Sequence, residues 1–190
     1  MIESFFNAHM REGSFVINKY LTKEERSHLE TVLKSFVDTD RRNALMLLVL
    51  MHSGVRPSEL LNLTWRDLDL KSGEIMVRSL KGGNNRITMV PKYVCKLLDQ
   101  YRVARSLETD TTRIFGISYQ RLTEIWAMYR PHPDKTLRCL RHTFAQRAYN
   151  SSKDIRFVQR ALGHKHISNT MIYLDYTYSA EEFRKLLGMK

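Results

Sequence analysis

The sequence predicts a mainly α chain with a small antiparallel β-sheet, an α+β fold. Apolar residues recur at helical spacing on both sides of one stretch, 73–91, in which the period switches to two. That stretch holds a turn-forming KGGNN cluster between two β-rich halves. No internal repeat, low-complexity tract or flexible linker divides the 190 residues, and 43% are hydrophobic, enough for one domain with a sizeable core.

Taken in order, residues 1–20 read as an N-terminal arm without clear structure. Segment 21–37 opens on Thr22 with Glu25 three positions on, a capping-box pattern, and its Leu29, Val32, Leu33, Phe36 and Val37 follow helical spacing. RRNALMLLVLMHSG (41–54) predicts a buried helix stopped at Gly54. Pro57 suits a first helical position, and the helix it opens is expected to run to about Trp65. The period-two stretch predicts a β-hairpin with Lys81 at its tip. Helices are then expected at roughly 92–106, 118–129, 136–150, 153–162, 168–174 and 180–187, with YRPHPDK (129–135) breaking the chain.

Lys and Arg number 31 against 20 acidic residues, a net charge of +11 that points to a polyanionic partner, nucleic acid before membrane. The longest apolar run, ALMLLVLM (44–51), falls well short of the ~20 residues that span a bilayer, and the N-terminus does not read as a secretion signal. Cys95 and Cys139 lie far apart without a C-x-x-C pattern, so neither a disulfide framework nor a zinc site is expected, and reduced cytoplasmic thiols are the default.

Four short segments carry candidate chemistry. Arg56 stands at the mouth of the helix begun by Pro57. There it is either a solvated surface residue or, with the free backbone N–H groups, a cradle for an anionic oxygen. LRCLRHTF (137–144) places Arg138 and Arg141 three apart on one helix face, where they repel unless an anion lies between them. Lys81 is either a loose surface lysine or a cation that combines charge with a transferable proton. LGHKHISNTMIYLDY (162–176) supplies His164 and, nine residues later, Tyr173, as packing residues or as a phosphate ligand and a nucleophile. His164 and His166 lack the nearby carboxylate or cysteine that would complete a metal site.

The segments GVRPSELLNLTWRDLD, LKGGNNRITMVP, LRCLRHTF and LGHKHISNTMIY, in this order, closely resemble the catalytic domain of the tyrosine recombinase (phage integrase) family. The resemblance spans roughly residues 21–178. It implies that family's catalytic-domain fold, with Arg56 and Arg141 as the two catalytic arginines, Lys81 as the hairpin lysine, His164 as the His/Trp position and Tyr173 as the nucleophile. Tyr176 and Tyr178 are at the wrong spacing from His164 for the family pattern. By the same resemblance His142 is a packing histidine. The tail 179–190 either folds back or is exchanged between protomers.

Two departures stand out. Arg138 occupies the position where the family usually has a histidine, and a guanidinium contacts phosphate but does not readily shuttle a proton. Only 20 residues precede LTKEE, too few for the separate N-terminal clamp domain of most integrases, so the chain either grips DNA with one domain, similar to the short fimbrial phase-variation invertases, or is a fragment of a longer protein. The resemblance implies a site-specific DNA recombinase performing inversion, integration or excision through a covalent 3′-phosphotyrosine, without ATP, cofactor or metal. Its expected partners are double-stranded DNA, further copies in a homotetramer on paired sites and accessory DNA-bending proteins, in a bacterial cytoplasm and nucleoid rather than at a membrane. A nicking-closing enzyme of type IB topoisomerase kind and a non-catalytic DNA-binding regulator remain open on the same fold. Residues 130–190 hold 12 basic against 5 acidic side chains, seven of the surplus of eleven, which favours a DNA face there.

Overall fold

The structure, a computed structural model, describes residues 19–79, 84–105, 109–173 and 187–188. The expected hairpin tip with Lys81, most of the N-terminal arm and the tail helix at 180–187 lie outside these residues. Helix α1 (Lys23–Ser35) starts with the expected capping box: Glu25 N donates to Thr22 Oγ1 at 3.1 Å, and Thr22 N donates to Glu25 Oε2 at 2.8 Å. Two of the orphan amides of the first turn are thereby satisfied.

Helix α2 (Arg41–Ser53) is the centre of the core. Residues Ala44 to Met51 are all buried, because the helix is packed by α1 on one side and by α4 (Lys92–Val103) and α6 (Arg138–Ser152) on others. A helix apolar all round has no face to give to water, and each of its buried leucines contributes ~1.5–3 kcal/mol over an exposed one. Gly54 ends α2 in the left-handed region, φ 64°, and a Cβ there would stand 2.2 Å from the Phe144 ring of α6. Only glycine lets α2 turn this close to α6.

Helix α3 (Pro57–Leu60) is shorter than expected. The chain leaves the helix because Leu63 O accepts from Ile114 N at 3.0 Å and Thr64 pairs with Arg113 as an isolated bridge. A 3₁₀ turn (Trp65–Asp67) follows, then a strand that periodicity missed, β1 (Leu68–Asp69), with only two residues to carry a pattern. β1 pairs antiparallel with β2 (Glu74–Val77), which pairs antiparallel with β3 (Arg86–Met89), giving the order β1-β2-β3. The β2–β3 register runs from Glu74↔Met89 to Val77↔Arg86, so the expected hairpin is present. Ile75, Val77, Arg86 and Thr88 face inward, while Met76, Ile87 and Met89 face out.

Helices α5 (Tyr119–Tyr129), α6, α7 (Ile155–Leu162) and α8 (Ser168–Met171) complete the described chain. Asp154 caps α7 by accepting from the amides of Arg156 and Phe157 at 2.8 and 3.2 Å. Gly163, φ 65°, ends it where a Cβ would meet Asn84 O at 2.9 Å. α7 is thereby held against both β3 and α6, and the chain beyond it is delivered to the same face as Gly54 and α3.

Candidate active site

Five of the six sequence candidates line one cleft of about 590 Å³: Arg56, Arg138, Arg141, His164 and Tyr173. Tyr119, His142 and Asn169 share it. Lys81, the sixth, lies outside the described residues.

Arg56 is delivered by the extended residue before Pro57. The backbone N–H groups at this helix mouth are not all free, as the anion-cradle reading requires. Arg56 N donates to Glu59 Oε2 and Arg56 Nη1 donates to Glu59 Oε1, both at 2.8 Å. Glu59 also accepts from Arg86 Nη1 at 3.1 Å and Nη2 at 2.7 Å, while Arg86 Nε donates to Ala161 O at 3.0 Å. Burial by itself would raise the Glu59 pKa, but the hydrogen bonds from Arg86 and Arg56 outweigh it and bring the carboxyl down to about 2.

Arg141, from the first turns of α6, is 8% exposed. Nη1 donates to Gly54 O at 2.6 Å, and Nη2 to Leu162 O at 2.7 Å. Both acceptors sit at helix C-termini, where the left-handed glycines 54 and 163 follow or form the cap and the dipole favours a cation. Burial first, then Arg56 and Arg86, pull its pKa to about 9, so the guanidinium stays charged near neutrality.

His164 pairs Nε2 with Arg141 Nη2 at 3.2 Å and Nδ1 with Thr170 Oγ1 at 2.9 Å. Arginine only donates, so Nε2 accepts and the ring proton sits on Nδ1. Burial, with Arg141 and Arg56, pushes this imidazole to about 4. Tyr173 is 4% exposed and lies between two imidazoles. The His164 ring is nearly parallel to it, centroids 6.5 Å apart, and His142 is tilted at 5.5 Å with Nδ1 3.0 Å from the tyrosine oxygen. Burial raises the phenol pKa, against the pull of Arg141 and Arg56. Arg138 opens α6 and is exposed at the lip.

Sequence reasoning passed over Glu59, Arg86 and Thr170, and confined His142 to packing, whereas its ring also bonds the tyrosine. Glu59 left a signal, since it stands at the third position after the residue preceding Pro57, where a capping carboxylate sits. Arg86 left none: an arginine in an alternating strand reads as solvent-facing.

The model of the phage integrase family matches residues 19–180. The chain belongs to the phage integrase family. A curated relative, tyrosine recombinase XerA of Thermococcus kodakarensis, is 32% identical over an alignment of 182 residues that covers 89% of this chain and 64% of the relative. The crystal structure of XerA recombinase aligns at TM-score 0.68 and 30% identity, covering 89% of this chain and 64% of that one. XerH site-specific recombinase, bound to its difH substrate in a pre-cleavage complex, aligns at TM-score 0.70 and 21% identity over 89% of this chain and 53% of that one, a likeness of fold. This phage integrase family member thus has a tyrosine recombinase catalytic-domain fold and spans less than two thirds of the length of these relatives.

Proposed function

We propose that this chain is the catalytic unit of a site-specific DNA recombinase that cuts and rejoins strands through a 3′-phosphotyrosine at Tyr173. The observation that carries the reading is the meeting of Arg56 and Arg141, from helices far apart in the chain, in one cleft with a buried phenol. A phosphodiester repels nucleophiles, and its charge grows on the non-bridging oxygens in the transition state. Arg56, Arg141 and Arg138 offer fixed positive charge and hydrogen-bond donors to those oxygens, and His164, accepting from Arg141, holds that guanidinium in place. Loss of one such donor costs ~3–4 kcal/mol of barrier.

Tyr173 attacks phosphorus, and the leaving 5′ oxygen takes a proton, which the family resemblance assigns to Lys81. The phosphotyrosine retains the bond energy, so a 5′-hydroxyl from a partner duplex reverses the step without ATP. The cationic cradle neutralises charge as a metal ion would. Exchange between duplexes requires more than one copy. A homotetramer on paired sites, with accessory DNA-bending proteins and a bacterial nucleoid setting, extends this reading.

The test is a library of nicked duplexes randomised around the nick. A covalent adduct absent from Tyr173→Phe, with a common sequence at the recovered ends, is the expected result. Binding without adduct would leave a DNA-binding regulator, and adducts without joint molecules between two sites a nicking-closing enzyme.

A further inference from the structure

We propose that His142 is the proton acceptor for Tyr173: as the phenolic oxygen attacks phosphorus, its proton passes to Nδ1 across the 3.0 Å contact. The inference rests on the reading of Tyr173 as nucleophile and assigns a residue to a step left open by Arg138. In the balanced step the Tyr173 O–P bond forms and the P–O5′ bond breaks. The electron pair goes to the 5′ oxygen, which takes a proton from a general acid, the role that the family resemblance assigns to Lys81, and His142 becomes imidazolium. Religation runs backward, with imidazolium returning the proton to the departing phenolate.

The alternatives in the cleft fail on chemistry or geometry. Arg138 is a guanidinium, a group with no acceptor. His164 has both ring nitrogens engaged, by Arg141 and Thr170, and its ring lies within 13° of parallel to that of Tyr173. Imidazole bonds in its ring plane, so these nitrogens do not meet the hydroxyl. His142, on the α6 position next to Arg141, is tilted 51° to the phenol and meets its oxygen directly.

Among the described residues, the charged groups that face His142 are all cations: Lys19 before α1, and Arg141 and Arg138 on its own helix, with the Tyr20 ring edge-on. Burial and these cations hold the imidazole at about 4, neutral and with its lone pair available at physiological pH. So weak a base does not ionise the free phenol. Two changes on reaction close the gap. The bound phosphate offsets the cations, and the phenolic oxygen loses basicity as the O–P bond forms, so the proton leaves late in the step.

The experiment uses the nicked duplex recovered from the randomised library and single-turnover adduct formation. His142→Gln keeps an acceptor for the hydroxyl but takes no proton. It is expected to bind the duplex as the unaltered protein does and to form adduct ~10²–10⁴-fold more slowly. A 5′-bridging sulfur, which leaves without protonation, does not restore it, whereas adding Arg138→His at the neighbouring position does in part. Adduct formation within threefold of the unaltered protein, or full rescue by the bridging sulfur, overturns the assignment. If His142→Gln does not fold, the rate–pH profile of the unaltered protein decides. It rises with unit slope on an acidic limb and then levels, and a profile without that limb overturns the proposal. Absence of any adduct from the unaltered protein would instead overturn the reading of Tyr173.

Discussion

Glu59 and Arg86, 27 residues apart in the chain, are joined beneath the cleft by hydrogen bonds of 2.7 and 3.1 Å. Glu59 also takes two donors from Arg56, and Arg141 Nη1 lies 3.9 Å from it. One carboxylate therefore holds three guanidiniums near each other, against their mutual repulsion, with enough positive charge in excess to receive a phosphate.

Glu59→Ala leaves the Arg86 side chain, 4% exposed, without its counter-ion. Breaking a buried pair from one side costs ~3–5 kcal/mol. Urea denaturation should show a loss of that size. Replacing both residues, with Arg86→Met, should cost less than the two single changes added together. Additive costs would mean that the pair does not act as a unit.

Acid should weaken the fold in two stages. The Glu59 carboxyl is depressed from 4.5 to about 2, so its contribution, about 3 kcal/mol for a shift of that size, is complete above pH 4.5 and lost as pH falls toward 2. His142 and His164 are each lowered from 6.5 to about 4. The unfolded chain binds their protons first, so stability is complete above pH 6.5 and declines between 6.5 and 4. Each contributes up to about 3 kcal/mol, reduced by the solvent that reaches these half-buried rings. Denaturation midpoints measured from pH 8 to 4 should fall from about 6.5 downward, and less so in His164→Gln. A level profile down to pH 4.5 would contradict the assignment of neutral imidazoles.

Gly54→Ala should destabilise by more than ~1 kcal/mol, because it forces a Cβ into the left-handed region and onto the Phe144 ring. Phe144→Ala added to it relieves the clash but not the backbone strain, so thermal melting should recover only in part. Adduct formation should fall beyond what stability explains, since the Gly54 carbonyl anchors Arg141.

What the sequence disclosed tracks how local each cause is. The Thr22/Glu25 box and the stop at Gly54 are contained within a few residues, and both stand where the pattern put them. The two-residue β1 is too short to show a period, and α3 stops early because Ile114, from a distant segment, claims the Leu63 carbonyl. For the cleft, motif order pointed to the arginines, His164 and Tyr173, but spacing alone would not have brought 56, 141 and 173 together. The Glu59–Arg86 pair depends on β3 packing against α2 and α7, a tertiary fact with no periodic signature. His142 was set aside because the family resemblance makes the residue after Arg141 a packing histidine. Here α8 brings Tyr173 back across α6 to meet it.

Salt should separate positioning from chemistry at Arg138. Its guanidinium is exposed at the lip of the cleft, so on DNA it meets a phosphate at little cost in desolvation. Each neutralised phosphate steepens the fall of log K with log salt by ~0.9 on duplex DNA. Arg138→Ala should therefore bind more weakly on every duplex and shallow the slope by about one contact, as measured by fluorescence anisotropy between 50 and 300 mM salt, roughly the range in which such contacts are lost. Lys34→Ala is the control. That lysine pairs with Glu30 at 2.9 Å on α1, outside the cleft-lining set, and its removal should leave the slope unchanged. Equal slopes in Arg138→Ala and the unaltered protein would mean that this arginine meets no phosphate. Compared with the histidine that the family resemblance implies there, Arg138 would then supply neither a base nor a ligand, and Arg56 and Arg141 would be left to hold the charge.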